Sequence, residues 1–157
     1  MLKRTWSKTI WSPGMLDGED RGIRTAKRVL FPLVDVSMLW SGLSAVRYGA
    51  PSIEKFLPPG ASDIYGATFA AAAALALVGI AFPAFWAGEI TGKLALFGLS
   101  LGYIGAMFLL AYDGDEARNF VIGYVAVGAA LFFWRLGQLG AEWHGRRAKK
   151  KRGNHGV

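Results

Sequence analysis

Four apolar blocks constrain this chain more than any other feature of it. They cover roughly 29–48, 64–86, 94–112 and 119–140. A helix needs about 20 apolar residues to cross a hydrocarbon core of ~30 Å. Inside that core every backbone N–H and C=O must be satisfied within the segment, which an α-helix does. The expected fold is therefore all-α: an integral membrane protein with a bundle of four transmembrane helices. Composition alone would not decide this. A hydrophobic share of 53% and a mean hydropathy of +0.30 also fit a soluble protein with buried helices. What decides is that the charges collect at the two ends and in the short gaps.

The organisation follows. Residues 1–28 form a basic N-terminal segment, 29–141 the transmembrane domain, and 142–157 a polybasic tail. No apolar run follows the N-terminal charges before residue 29, so no cleavable signal peptide is expected. Leu2, Trp6 and Ile10 repeat every four residues beside Lys3, Arg4 and Lys8, a pattern that suits an amphipathic anchor lying in the interface or a frayed tail. Pro13 and Gly14 end any such helix. Pro32 is expected in the first turn of the first span, where a missing N–H costs little. Pro83 is expected to bend the second span by freeing the carbonyl of Gly79. The connections are read as 49–63, stiffened by Pro51, Pro58 and Pro59, and as 87–93 and 113–118.

Basic residues set the orientation. Lys3, Arg4, Lys8, Arg21, Arg24, Lys27, Arg28, Lys93, Arg135 and six tail residues fall on one side of a four-span topology. Arg47, Lys55 and Arg118 fall on the other. Fifteen against three places both termini inside. The aromatic residues agree, with Trp86 and Trp134 at inner ends and Tyr48, Tyr65, Tyr112 and Phe120 at outer ends. The expected location is a bacterial inner membrane, crossed in several passes.

Candidate functional residues are few. Asp35 lies about two turns into the first span, where a carboxylate is costly and faces protein or water. It reads either as a proton- or voltage-responsive or pore-lining group, or as a structural partner of Arg24 or Arg28. Gly98, Gly102 and Gly105 form a small-residue stripe of the kind that lets helices approach closely, within the monomer or between copies. Arg146, Arg147, Lys149, Lys150, Lys151 and Arg152 suit anionic lipid headgroups, at about 1 kcal/mol each. Arg135 is expected to snorkel to the interface. Glu89 and Lys93, four apart, have the spacing to pair on a short helical turn, but the expected reading is a solvated connection. Asp113, Asp115 and Glu116 hint faintly at a divalent cation but read as a solvated turn. His144 and His155 read as surface residues. With no cysteine, thiol catalysis and disulfides are excluded. No phosphate loop, catalytic triad or haem-binding pair is present, so no enzyme activity and no cofactor is expected. Partners are the bilayer, a second copy or another membrane protein; nucleic acid is not expected, because no aromatics interleave with the basic tail.

Short length, four Gly/Ala/Trp-rich spans and the Arg146–Arg152 tail together make the chain resemble small multi-span membrane proteins of actinobacterial bacteriophages, some of which are holins. That resemblance implies self-association in the membrane and a role in lysis. The alternatives are a superinfection-exclusion or immunity protein, or an accessory subunit of a membrane complex. The stretch from Arg28 to Tyr48 also resembles the first helix of DoxX-type four-helix membrane proteins, which implies a small membrane protein or transporter.

Overall fold

The structure is a computed structural model that describes residues 7–13, 16, 20–55, 58, 60–112 and 118–153; residues 51, 52, 118 and 144–153 are described as backbone only. Among the described residues the regular elements are all helices, with no strand. Helix α1 is Arg21–Tyr48, α2 the short turn Pro51–Glu54, α3 Ala61–Ala81, α4 Trp86–Tyr112 and α5 Arg118–Gly153. Four of them, α1, α3, α4 and α5, are long and apolar enough to cross a membrane. They pack in sequence, α1 on α3, α3 on α4 and α4 on α5.

Two prolines shape the chain differently from the sequence expectation. Pro32 is not in a first turn, because α1 begins at Arg21. It follows a π-helical turn, Ala26–Leu30. A proline cannot donate to the carbonyl four residues back and crowds it, and the wide turn relieves that crowding. The carbonyl concerned is Arg28 O. Trp11 supplies the missing donor, its indole Nε1 lying 3.0 Å away. The Arg28 side chain grips the same segment, with Nε 3.1 Å from Ile10 O and Nη2 3.3 Å from Ser12 O. Ile10 N–H donates to Ala81 O at 3.1 Å. Ile10 is thus buried among Ala26, Phe31 and Ile80. The segment around Ile10 is a strap across the end of the bundle rather than an interfacial anchor; Leu2 and Trp6 lie outside the described residues.

Pro83 does not kink a span. It ends one and starts the next. The residue before a proline is pushed out of the α region, and Phe82 is extended (φ −119°, ψ 100°). A 3₁₀ turn, Pro83–Phe85, leads directly into α4. The second connection is therefore about 82–85, not 87–93. The apolar sequence of this turn disguised it as membrane span. At the far end, α5 runs on without a break through the tail to Gly153.

Small residues bring the helices together, but not the stripe expected from sequence. A Cβ on Gly42 would meet the backbone of Ala70 at 2.6 Å, and one on Gly66 would meet Gly42 O at 2.9 Å. A Cβ on Gly92 would meet Ala76 N at 2.6 Å, and Gly79 lies equally hard against the backbone of Glu89. These glycines, with the alanines of α3, set the α1–α3 and α3–α4 distances. Ala73, Ala76, Leu96 and Phe132 form the wholly buried centre.

Candidate functional site: a buried charge network

Three helices each turn one charged stripe inward. On α1 it is Lys27, Phe31 and Asp35, at steps of four. On α4 it is Glu89 and Lys93, again four apart. On α5 it is Arg135, Gln138 and Glu142, at steps of three and four. Residues at these spacings share a helix face.

The contacts form two sets of ion pairs that share the ring of Phe31. Lys93 Nζ donates to Asp35 Oδ1, and both side chains are fully buried. One turn back on α4, Glu89 accepts from Arg135 through two parallel bonds, Nε–Oε1 at 2.6 Å and Nη2–Oε2 at 3.1 Å. This fork is the strongest geometry available to a guanidinium and a carboxylate. Arg135 Nη1 also reaches Gln138 Oε1 at 3.2 Å and Glu142 Oε1 at 3.1 Å. Glu142 Oε1 in turn lies 2.9 Å from Lys27 Nζ. Phe31 sits inside the network, with Lys93 Nζ 5.7 Å and Arg135 Cζ 5.3 Å from its ring centre. Phe132 is 5.2 Å from Lys93 Nζ. Rings at this range stabilise a desolvated cation.

Three cations (Lys27, Lys93, Arg135) thus face three carboxylates (Asp35, Glu89, Glu142). That balance permits burial, since unpaired charges in low dielectric are prohibitively costly. One atom stays unmatched: Asp35 Oδ2 is buried and has no hydrogen-bond partner.

Two cavities flank the network. The one nearer the chain termini, about 210 Å³, is lined by Lys27, Glu89, Arg135 and Glu142 and covered by Ile10 and Leu16 of the strap. The other, about 250 Å³, lies in the opposite half of the bundle, with Ser37, Ser41, Tyr65, Ser100, Tyr103 and Tyr124 among apolar walls. Asp35 and Lys93 line neither. The pair sits between them, one helical turn (~6 Å) from Glu89 and about 10 Å along α4 from Ser100.

Several sequence expectations need correction here. Asp35 pairs with Lys93, not with Arg24 or Arg28. Glu89 and Lys93 are inside a helix and buried (3% and 0% exposed), not in a solvated connection. Arg135 is 3% exposed and does not snorkel, because Glu89 holds it inward. The whole network apart from Asp35 was missed as a site; its signal was the inward stripe at helical spacing on three blocks. Gly98, Gly102 and Gly105 do not pack within the chain: a Cβ on any of them would meet nothing within 4 Å. They lie on an exposed face with Leu94, Leu101, Phe108 and Leu109. Arg146, Arg147, Lys149, Lys150, Lys151 and Arg152 belong to the last turns of α5, where only the backbone is described, as is His144. Asp113, Asp115, Glu116 and His155 lie outside the described residues. Among the described residues no cluster of three metal-ligating side chains occurs. Comparison with protein-family models, with curated proteins and with solved structures finds no match to this chain.

Proposed function

We propose that this protein spans a bacterial inner membrane four times, with both termini inside, and conducts protons through the centre of its bundle. The observation that carries this reading is the Asp35–Lys93 pair. It is a sealed ion pair between two cavities, with one carboxylate oxygen unpartnered. Ionisable groups inside a span are costly and mark ion or proton pathways. Asp35 Oδ2 has the lone pair to take a proton delivered by way of the Glu89 and Glu142 cavity. Protonation neutralises the carboxylate and weakens its hold on Lys93. Release of the proton towards the Ser100 and Tyr103 cavity restores the pair. Orientation rests on the basic residues: removing the buried Lys27, Lys93 and Arg135 from the count still leaves twelve against three.

The test is proton flux into proteoliposomes holding an internal pH dye, under an imposed potential. Asp35→Asn keeps the shape and removes the acceptor, so flux falls to the protein-free leak. Equal flux through Asp35→Asn and the parent refutes the route.

A second reading is favoured by the outward stripe. Gly98, Gly102 and Gly105 leave an open face on α4 where two copies can approach closely. Permeability then arises between copies, as in a holin-like lesion. Inducible expression with membrane potential followed separates the two. Gly98→Leu with Gly102→Leu abolishes depolarisation in the second reading and spares it in the first; Asp35→Asn does the reverse. Normal potential and growth at high expression would instead favour an immunity protein or accessory subunit, found by detergent pull-down of its partner.

A further inference from the structure

The cavity in the tyrosine-lined half of the bundle has room for more than water. Its volume is about 250 Å³. An apolar cavity of about 150 Å³ already takes one benzene ring, so this one takes a ring with a short substituent. Met38, Ala45, Phe69, Val121 and Val125 give it apolar walls, and none of the described residues lining it is charged. A charged ligand would be buried there without a partner, at prohibitive cost. The ligand that fits is neutral and largely apolar.

The polar groups on the wall fix the rest of its chemistry. Ser37 Oγ donates to Leu33 O at 2.9 Å, Ser41 Oγ to Ser37 O at 2.9 Å, and the Tyr65 hydroxyl to Leu99 O at 3.0 Å. Each of these hydroxyls has given its one proton to a main-chain carbonyl and keeps lone pairs that accept. The matching ligand therefore brings a donor. The walls also suit a ring. Tyr65 stacks on Phe69 with ring centres 5.9 Å apart, and tilts against Tyr103 at 6.4 Å. A further ring packs well on such a surface.

The way in is lateral. α1 packs on α3, α3 on α4 and α4 on α5, while α1 and α5 stand on either side of the cavity without close packing of their own. Ser41 on α1 and Tyr124 on α5 are exposed there, the tyrosine at 71%. Ala50 and Ile53 of α2 line the end of the cavity, and Glu54 fixes that short turn by accepting from Ser62 Oγ at 2.8 Å. A side left open between two spans faces lipid, so the ligand is one that dissolves in the bilayer. We propose that this cavity binds a small, neutral, membrane-dissolved phenol, its ring among Met38, Phe69 and Val125 and its hydroxyl donating to the oxygens of Ser37, Ser41 or Tyr65. The seat rests on the membrane-spanning reading but not on proton conduction.

The test is a saturation-transfer NMR titration of the full chain in lipid nanodiscs, with empty nanodiscs as the partitioning control. The probes are para-ethylphenol, para-ethylanisole and ethylbenzene. The last two lack the donor, one being larger than the phenol and the other smaller. The parent binds the phenol saturably and about fivefold more tightly than either, the worth of one net hydrogen bond. Ser37→Ala with Ser41→Ala removes most of that preference and leaves ethylbenzene binding as it was. Both serines bond back to their own helix, where alanine is well tolerated, so helicity by circular dichroism stays at the parent value. Val125→Phe fills the cavity and abolishes binding of all three. Equal binding of the phenol and ethylbenzene by the parent assigns the cavity to any apolar chain, a lipid tail included, and overturns the seat. A preference that survives loss of both serine hydroxyls, or binding no more saturable than in empty nanodiscs, overturns it too. A chain that stays out of bilayers altogether overturns the membrane-spanning reading and the seat with it.

Discussion

Asp35 and Lys93 lie 58 residues apart in the chain and meet with no water-exposed surface on either. Such a pair is poor evidence of stability by itself, since desolvation offsets most of the attraction. Breaking it is another matter. Lys93→Met leaves a buried carboxylate without its cation and lowers stability by about 3–5 kcal/mol. Asp35→Leu combined with Lys93→Met removes both charges and recovers most of that loss. Denaturation in detergent, followed by circular dichroism, reads both. A double variant as unstable as the single one would show that the pair does not act as a unit. Glu89→Gln should behave like Lys93→Met, because it removes the charge of the carboxylate that forks Arg135 in the interior and leaves Phe31, Gln138 and Glu142 to stabilise it.

At the scale of the elements, prolines and glycines explain most of the architecture. Trp11 meets Arg28 O because Pro32 cannot. Pro32→Ala returns a competing N–H to that carbonyl and loosens the strap. Backbone amides of residues 7–12 should then exchange with deuterium faster, while those of α3 stay protected. Gly42→Leu drives a side chain into the backbone of Ala70 and separates α1 from α3, whereas Gly102→Leu is tolerated within a single chain. Thermal stability in detergent distinguishes them. The helices themselves were legible in the sequence, because long apolar blocks admit little else. Their ends were not. Phe82, Pro83 and Trp86 are apolar enough to pass for membrane span, so the turn they form was hidden by their own composition. Glu89, Lys93 and Arg135 were misplaced for the same reason: near a misjudged helix end, a charge reads as solvated. Their helical spacing points inward only once α4 is known to start at Trp86. The outward direction of Gly98, Gly102 and Gly105 was open in the sequence, since a stripe shows periodicity and not which neighbour it faces.

At the scale of the whole molecule, the buried charge network lies towards one end of the bundle and the tyrosine-lined cavity towards the other. The proposed orientation rests on the basic residues and not on this asymmetry. Reporter fusions after Gly60 and Gly114 should read external, and those after Gly88 and Val157 internal; an internal reading at Gly114 would break the four-span arrangement. The strap adds a further expectation. Ile10 and Leu16 line the cavity nearer the chain termini, so Ile10→Asp, which opens it to water, should raise proton flux and leave the dependence on Asp35 intact. The most direct measurement of the central claim is proton flux in proteoliposomes of the parent and of Asp35→Asn, at equal reconstitution and equal helicity. Conduction by the parent, reduced to background leak in Asp35→Asn, is the predicted result. An unchanged flux in Asp35→Asn, or no flux above leak in the parent, would contradict it.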